Sequence, residues 1–376
     1  MPDSLMPKVL SIVPYKIFPA KLGGQKGIAL FNEYLARETA LVCITVKSNQ
    51  PGFAKGYLLL NVLSDSFYRY INPFYFFAVR KLLVEHGATH LILEHPYYGW
   101  LGIFLKWVTG VKLIVHSHNM EAMRWKSLGR WWWKILWLYE RQTHRKADYN
   151  LFIHDDDKAY AIKQFKLDPF RCITMTYGIE WDRIPPQEEI RKAKVKLRND
   201  YNISQAESIL LFNGDFNYQP NLLALYKIID TIDPILRQKK DFRYRIIICG
   251  RGIPMALTET NHPSIIYAGF VDDISIYFKG ADVFLNPVTE GGGIKTKLVE
   301  ALGYNLNAVS TFIGAIGIDP GMCNGKLLIC NDGDWDLFCT GIVDASLVKA
   351  DIGPAYFEHF YWGYSVGRIA RFIESE

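Results

Sequence analysis

A chain of 376 residues, 49% apolar and 22% charged, can bury a sizeable core, and its length suits two domains of ordinary size. Its net charge of +5 is too small for a dedicated nucleic-acid binder. No run approaches the ~18 uninterrupted apolar residues of a membrane span, since the best stretch, 97–115, is broken by Lys106 and Lys112.

Charge is unevenly divided. Residues 1–183 carry a net +9 and residues 184–376 a net −4, so the first half suits an anionic partner such as a phosphorylated acceptor or a membrane surface. Six scattered cysteines, with no C-x-x-C pair, fit a reduced cytoplasmic compartment and argue against a zinc site.

In chain order, strands are expected at 9–13, 41–46, 58–63, 90–93, 112–116 and 150–153. The first of these reads as a strand rather than a signal peptide because its apolar stretch is short. Helical patterns cover 73–85 and 120–146. A charge-rich stretch at 182–202, opened by Pro185-Pro186, precedes a second series. That series places strands at 209–212, 244–249, 265–267, 283–286, 308–310 and 326–329, with helices over 220–237 and 294–303. Such alternation implies an α/β fold with two doubly wound parallel-sheet domains. We expect a first domain over 1–185, a second over 203–355, and a C-terminal helix at about 356–376 that packs back on the first. Ligands of these sheets bind beyond the carboxyl ends of the strands, so the chemistry should lie in loops facing a central cleft.

The strongest signal is residues 281–302, A-D-V-F-L-N-P-V-T-E-G-G-G-I-K-T-K-L-V-E-A-L. Here a strand ends in Pro287, three glycines follow, and a helix is expected to start near Ile294. Gly291, Gly292 and Gly293 let the backbone approach a ligand, while a helix N-terminus offers unpaired N–H groups. Lys295 and Lys297 in a first helical turn oppose the usual preference for acids there, a conflict that a bound diphosphate would remove. Glu300, three residues beyond Lys297, shares its helix face and could accept hydrogen bonds from ribose hydroxyls.

This segment resembles the donor-binding motif of the retaining GT-B glycosyltransferases of family 4 (glycosyltransferase group 1). Residues 212–224, F-N-G-D-F-N-Y-Q-P-N-L-L-A, resemble the start of that family's second domain, and I-C-G-R-G at 248–252 its next glycine turn. Residues 269–287, G-F-V-D-D-I-S-I-Y-F-K-G-A-D-V-F-L-N-P, follow a further family pattern. In the first domain, 21–27 resembles an early glycine loop and H-N-M-E-A-M-R-W at 118–125 a strand-end segment. The resemblance implies a GT-B fold, a nucleotide-diphosphate sugar as co-substrate, retention of anomeric configuration, and no cofactor or obligatory metal. It implies a donor site of Gly23, Gly24, Gly214, Gly250, Arg251, Phe270, Gly291, Gly292, Gly293, Ile294, Lys295, Lys297 and Glu300.

Two departures stand out. The family's first glutamate, eight residues before Glu300, is Gly292 here, and Glu290 is the nearest substitute. An Arg and a Lys that many members place early in the second domain are absent where Asp215, Phe216 and Asn217 stand, which leaves Lys297, with Lys295 and Arg251, to supply phosphate charge.

His116 and His118 close a strand. His118 joins Lys297 and Glu290 as a catalytic candidate, and with Asn119 and Glu121 it would contact a glycan or lipid-linked acceptor. Asp155-Asp156-Asp157 reads as an acidic helix start rather than a metal site. Seven of ten tryptophans fall between Trp100 and Trp137. On one continuous helix, Leu128, Trp131, Trp132, Ile135, Leu138 and Tyr139 share a face, and Arg130, Trp133, Lys134, Trp137 and Arg141 form the opposite one. That second face suggests peripheral docking to an anionic membrane surface. Two alternatives stay open: a non-catalytic nucleotide-sugar-binding partner of a polysaccharide-assembly complex, and a GT-B-type nucleotide-sugar epimerase.

Overall fold

Strands covered by helices on both faces need near-continuous apolar runs rather than alternation. Ile246, Ile247 and Ile248, all fully buried, are such a run. The computed structural model describes residues 6–20 and 23–374. They fall into two units, one of Met1–Gly178 with Trp362–Glu376 and the other of Ile179–Tyr361.

The first unit holds seven strands: β1 (Lys8–Ile12), β2 (Ala40–Val46), β3 (Leu58–Leu63), β4 (His90–Glu94), β5 (Lys112–Ser117), β6 (Tyr149–Phe152) and β7 (Cys172–Thr174). Their order is β3-β2-β1-β4-β5-β6-β7, and every pairing is parallel. The short β7 was not anticipated, because three residues give no apolar run to detect. The helices are α1 (Gly23–Glu38), α2 (Tyr75–Glu85), α3 (Gly99–Thr109), α4 (Glu121–Ser127), α5 (Trp133–Lys146) and α6 (Asp155–Tyr160). The single helix expected over 120–146 is thus two. Gly129, at φ 69°, takes a left-handed conformation that ends the first and resets the phase of the second.

The second unit repeats the plan with β8 (Ser208–Asn213), β9 (Tyr244–Cys249), β10 (Ile265–Gly269), β11 (Val283–Asn286), β12 (Asn307–Thr311) and β13 (Leu327–Cys330). Their order is β10-β9-β8-β11-β12-β13, again all parallel. Its helices are α7 (Gln187–Tyr201), α8 (Gln219–Lys227), α9 (Asp233–Arg237), α10 (Met255–Glu259), α11 (Ile274–Gly280), α12 (Thr296–Gly303), α13 (Trp335–Leu347) and α14 (Pro354–Phe360). The charge-rich α7 packs on α11 so closely that a Cβ on Gly280 would lie 2.7 Å from Leu197. The last helix, α15 (Trp362–Glu374), belongs to the first unit, where it packs on α1 and buries Trp362, Val366, Ile369 and Ile373. All six cysteines are buried and unpaired, as small hydrophobes would be.

Each sheet reverses its winding once, between β1 and β4 in the first unit and between β8 and β11 in the second. Loops at such points diverge and leave room for a ligand.

Candidate active-site residues in each unit

In the second unit, β11 runs through Pro287 and the buried Val288 to the exposed Glu290 and the glycine turn. Gly291 and Gly293 have φ values of 85° and 71°, so side chains there would be strained. Gly292 carries no such demand, and a Cβ on it would meet nothing within 4 Å. Helix α12 starts at Thr296, two residues later than expected, because Gly293 is still left-handed; Lys295 is therefore the N-cap and only Lys297 lies in the first turn.

Both lysines turn back toward the backbone. Lys295 Nζ donates to the carbonyls of Gly291 (2.9 Å) and Gly293 (2.8 Å) and so braces the turn. Lys297 Nζ donates to Asn213 O (3.1 Å) and Asn221 Oδ1 (2.9 Å), and it lies 4.2 Å from the centre of the Phe212 ring. Two of its three protons are thus engaged. Burial, with the nearby charge of Lys295, lowers the Lys297 ammonium to about 7; burial alone lowers Lys295 to about 8. Two desolvated cations beside a helix N-terminus form a place where an anion is favoured. Glu300 is half-buried one turn further along α12.

Gly250, at φ 142°, has no room for a side chain, since a Cβ would lie 1.8 Å from Gly214 O. Gly214 is equally close-packed, with Asn221 Cγ 2.9 Å from its would-be Cβ. These two glycines draw the ends of β8 and β9 together and seat Asn221 against Lys297. Arg251 is not a free cation, because its Nε and Nη2 donate to Asp215 Oδ2 at 3.0 and 2.8 Å. Phe270, just past β10, is exposed, and Ile294 is half-buried between the glycine turn and α12.

In the first unit, β4 ends at Glu94 and β5 carries His116, with His118 just beyond. Glu94 Oε2 takes a hydrogen bond from His118 Nε2 at 2.6 Å and lies 3.0 Å from His116 Nδ1. Burial would raise the Glu94 carboxyl, but the two imidazoles outweigh it and hold it at about 2. His118 is lowered to about 4, chiefly by burial and then by His116. An ionised carboxylate can only accept, so His118 carries its proton on Nε2 and keeps a lone pair on Nδ1.

A second histidine–carboxylate pair lies alongside. His95 Nδ1 donates to Glu121 Oε1 (2.9 Å) and Tyr15 OH donates to His95 Nε2 (2.8 Å), while the His95 and His118 rings stack with centres 4.6 Å apart. Tyr97 OH donates to Glu121 Oε2 at 2.6 Å. Burial would raise Glu121 too, but hydrogen bonds from His95 and Tyr97 and the Arg124 charge lower it. Glu121 is buried with both oxygens engaged, and with His118 and Asn119 it lines the cavity of this unit. His95 has φ 71° and ψ 155°, a conformation that costs a non-glycine residue about 1–3 kcal/mol. Its N–H on His116 O and both ring nitrogens hold it there.

These groups border a cavity of about 720 Å³ walled by Tyr15, Phe67, Tyr70, Tyr97, Trp125 and Trp132. His118, Asn119 and Gly24 also line it, and Gly23 opens α1. Lys21 and Leu22 of the early glycine loop lie outside the described residues. Glu94, His95, Tyr97 and Tyr15 were missed in the sequence, although Glu94-His95-Pro96 at a strand end was a readable signal. Glu94, His116 and His118 could each offer a metal ligand, their atoms lying within 4.8 Å of one another. The 2.6 Å contact is that of a charge-assisted hydrogen bond, and a proton accounts for it. Asp155 and Asp157 pair with Lys158 and His154 in the first turn of α6.

Two doubly wound units with their site residues at the switch points define an α/β protein of the GT-B class. Residues 33–183 match the family model described as Glycosyltransferase Family 4, and residues 207–345 match Glycosyl transferases group 1. Both units therefore carry glycosyltransferase domains. The chain is 22% identical over 286 residues to a chitobiosyldiphosphodolichol beta-mannosyltransferase of Debaryomyces hansenii, a match covering 65% of this chain and 60% of that relative. The chain thus spans about 60% of the length of that curated relative. Among solved structures it resembles a glycosyltransferase from Rickettsia africae (TM-score 0.69, 13% identity, 98% of each chain). It also resembles Anabaena Alr3699/HepE in complex with UDP (TM-score 0.69, 12% identity, 98% of this chain and 100% of that one).

Proposed function

We propose that this chain moves a sugar from a nucleotide-diphosphate donor to a glycan or lipid-linked acceptor, with retention at the anomeric carbon, in the synthesis of a cell-surface polysaccharide or glycolipid. The observation that carries this reading is the pair of desolvated lysines on the glycine turn before α12. A diphosphate is the ligand that such a turn favours. In this reading Lys297 and the first-turn amides hold the diphosphate, Glu300 accepts from ribose hydroxyls, the exposed Phe270 stacks on the base, and Glu290 faces the sugar.

Retention requires no protein nucleophile. The acceptor oxygen bonds to the anomeric carbon on the face the diphosphate leaves, the carbon–phosphate-oxygen bond breaks, and the acceptor proton passes to the departing phosphate. What the protein supplies is stabilisation of the leaving-group charge. His118, with Nδ1 unprotonated, accepts a sugar hydroxyl in the cavity of the first unit. No step calls for a metal.

A panel of nucleotide sugars screened by thermal shift identifies the donor, because a ligand of the folded state raises the melting temperature. Acceptor-dependent release of the nucleoside diphosphate then establishes transfer. If no nucleotide sugar shifts the melting temperature, the reading fails. Gly292, where the family has a carboxylate, favours one competitor, a non-catalytic nucleotide-sugar-binding partner. Binding without acceptor-dependent turnover would decide for it, and isomerisation of the donor sugar would decide for an epimerase.

A further inference from the structure

The outward face of a surface helix is normally polar. In the first unit this rule fails on three neighbouring helices. Helix α2 contacts α3, and α3 contacts α5. Outward from them point Phe77 and Val84 on α2, Phe104 and Trp107 on α3, and Ile135 and Leu138 on α5, all exposed. Phe74 just before α2 and Trp131 just before α5 extend the face, and Trp107 and Trp131 are 79% and 83% exposed. Single exposed apolar residues need no explanation, but a continuous patch does. From α2 to α3 the patch is joined by the Phe76 and Phe104 rings, with centres 4.7 Å apart, and along α3 by Phe104 and Trp107, at 5.7 Å, and α5 packs beside α3.

The charges around this face have one sign. Between residues 67 and 146 eight basic side chains are exposed, among them Arg80, Lys81, Lys126, Arg130 and Lys134. The only exposed carboxylate there is Glu85, because Glu94, Glu121 and Glu140 are buried. Lys126 Nζ lies 4.8 Å from the centre of the Trp133 ring, so cation and aromatic are interleaved. Protein interface cores are depleted of lysine, whereas lipid interfaces combine aromatic bodies with Lys and Arg that reach anionic headgroups. No helix among the described residues is long and apolar enough to cross a membrane.

We propose that the outer face of α2, α3 and α5 docks this protein onto an anionic lipid bilayer, with Phe74, Phe77, Trp107, Trp131 and Ile135 entering the interface and Lys126, Arg130 and Lys134 meeting the headgroups. This replaces the face expected from the sequence. Trp137 is packed within the fold, its Nε1 donating to Tyr160 OH at 3.1 Å and its ring lying edge-on to Phe165. The exposed side is instead Leu128, Trp131, Ile135 and Leu138. Phe67, Trp132 and Leu136, which wall the cavity of the first unit, come from the same region, so docking holds that cavity near the lipid surface.

The test is co-sedimentation of the full chain with vesicles of phosphatidylcholine alone or mixed with phosphatidylglycerol. Wild type should pellet with the mixed vesicles and be released by high salt. Phe77→Ser/Trp107→Ser and Trp131→Ser/Ile135→Ser should each weaken binding by about tenfold or more, and Lys126→Glu/Arg130→Glu/Lys134→Glu should abolish it. Unchanged circular dichroism and melting in one apolar variant suffice to exclude misfolding. Wild-type protein that stays in the supernatant overturns the proposal. So does equal binding to both vesicle types, or sedimentation velocity showing a dimer that the variants dissolve while vesicle binding is absent. None of these readouts depends on sugar transfer, so docking and catalysis can fail separately.

Discussion

Lys297 is held by Asn213 and Asn221 with one proton to spare and an ammonium lowered to about 7. A bound diphosphate would raise that value, since the opposite charge favours the protonated form. Binding should therefore take up protons, and nucleoside diphosphate affinity should fall as pH rises above about 7, by up to about tenfold per unit. Titration calorimetry in buffers of different ionisation enthalpy measures both, and proton release on binding would remove Lys297 from the site. Lys297→Ala and Glu300→Ala should each lower kcat/KM for the donor by more than about tenfold, about 1.4 kcal/mol or more of transition-state stabilisation. Wild-type kinetics in both variants would contradict the assignment. The lysines, glycines and Glu300 were legible because they are consecutive in the chain. The partners of Lys297 and the Glu94–His118 and His95–Glu121 pairs were not, since their members lie 24 or more residues apart and meet only when strands align.

At the scale of elements, twelve of the thirteen strands among the described residues were readable as apolar runs, and β7 was too short to show. The 120–146 segment shows the limit of periodicity: spacing sorts its residues into two faces, but it does not say which face packs on the fold and which meets water, and it did not show that Gly129 splits the segment into two helices. The exposed stripe is that of Trp131, Ile135 and Leu138, while Trp137 packs against Tyr160. Elsewhere a single glycine fixes how elements meet. Gly250→Ala would place a Cβ 1.8 Å from Gly214 O at a φ of 142°, so the ends of β8 and β9 would have to part. We expect about 2 kcal/mol or more of destabilisation by urea unfolding, with loss of nucleotide binding as Asn221 shifts from Lys297. An unchanged midpoint would mean that the turn adapts.

For the whole molecule, acid stability is governed by buried groups of opposite sign. His118 and His144 have folded values near 4 against an ordinary 6.5, so the unfolded chain binds protons first and stability falls from pH 6.5 toward 4. Glu140, raised by burial to about 8, acts oppositely, since the folded form holds the extra proton and is favoured as pH falls from 8 to 4.5. Two histidines outweigh one glutamate. Below pH 4.5 Glu94, held near 2, adds its own loss. The urea midpoint should therefore decline from pH 6.5 and drop more steeply below 4.5; equal midpoints at 6.5 and 4 would show that these histidines are not buried neutral.

What the sequence determined by itself is what depends on neighbours along the chain: apolar runs long enough for buried strands, the glycine turn before a helix, the basic and acidic halves, and hence two doubly wound domains. Tertiary structure decided what depends on distance through space. It paired His118 with Glu94 from another strand and His95 with Glu121 of α4, and set which side of α5 meets water. Local pattern constrains backbone conformation within a turn or a strand, whereas burial and hydrogen-bond partners are settled only when remote segments compete for the same space.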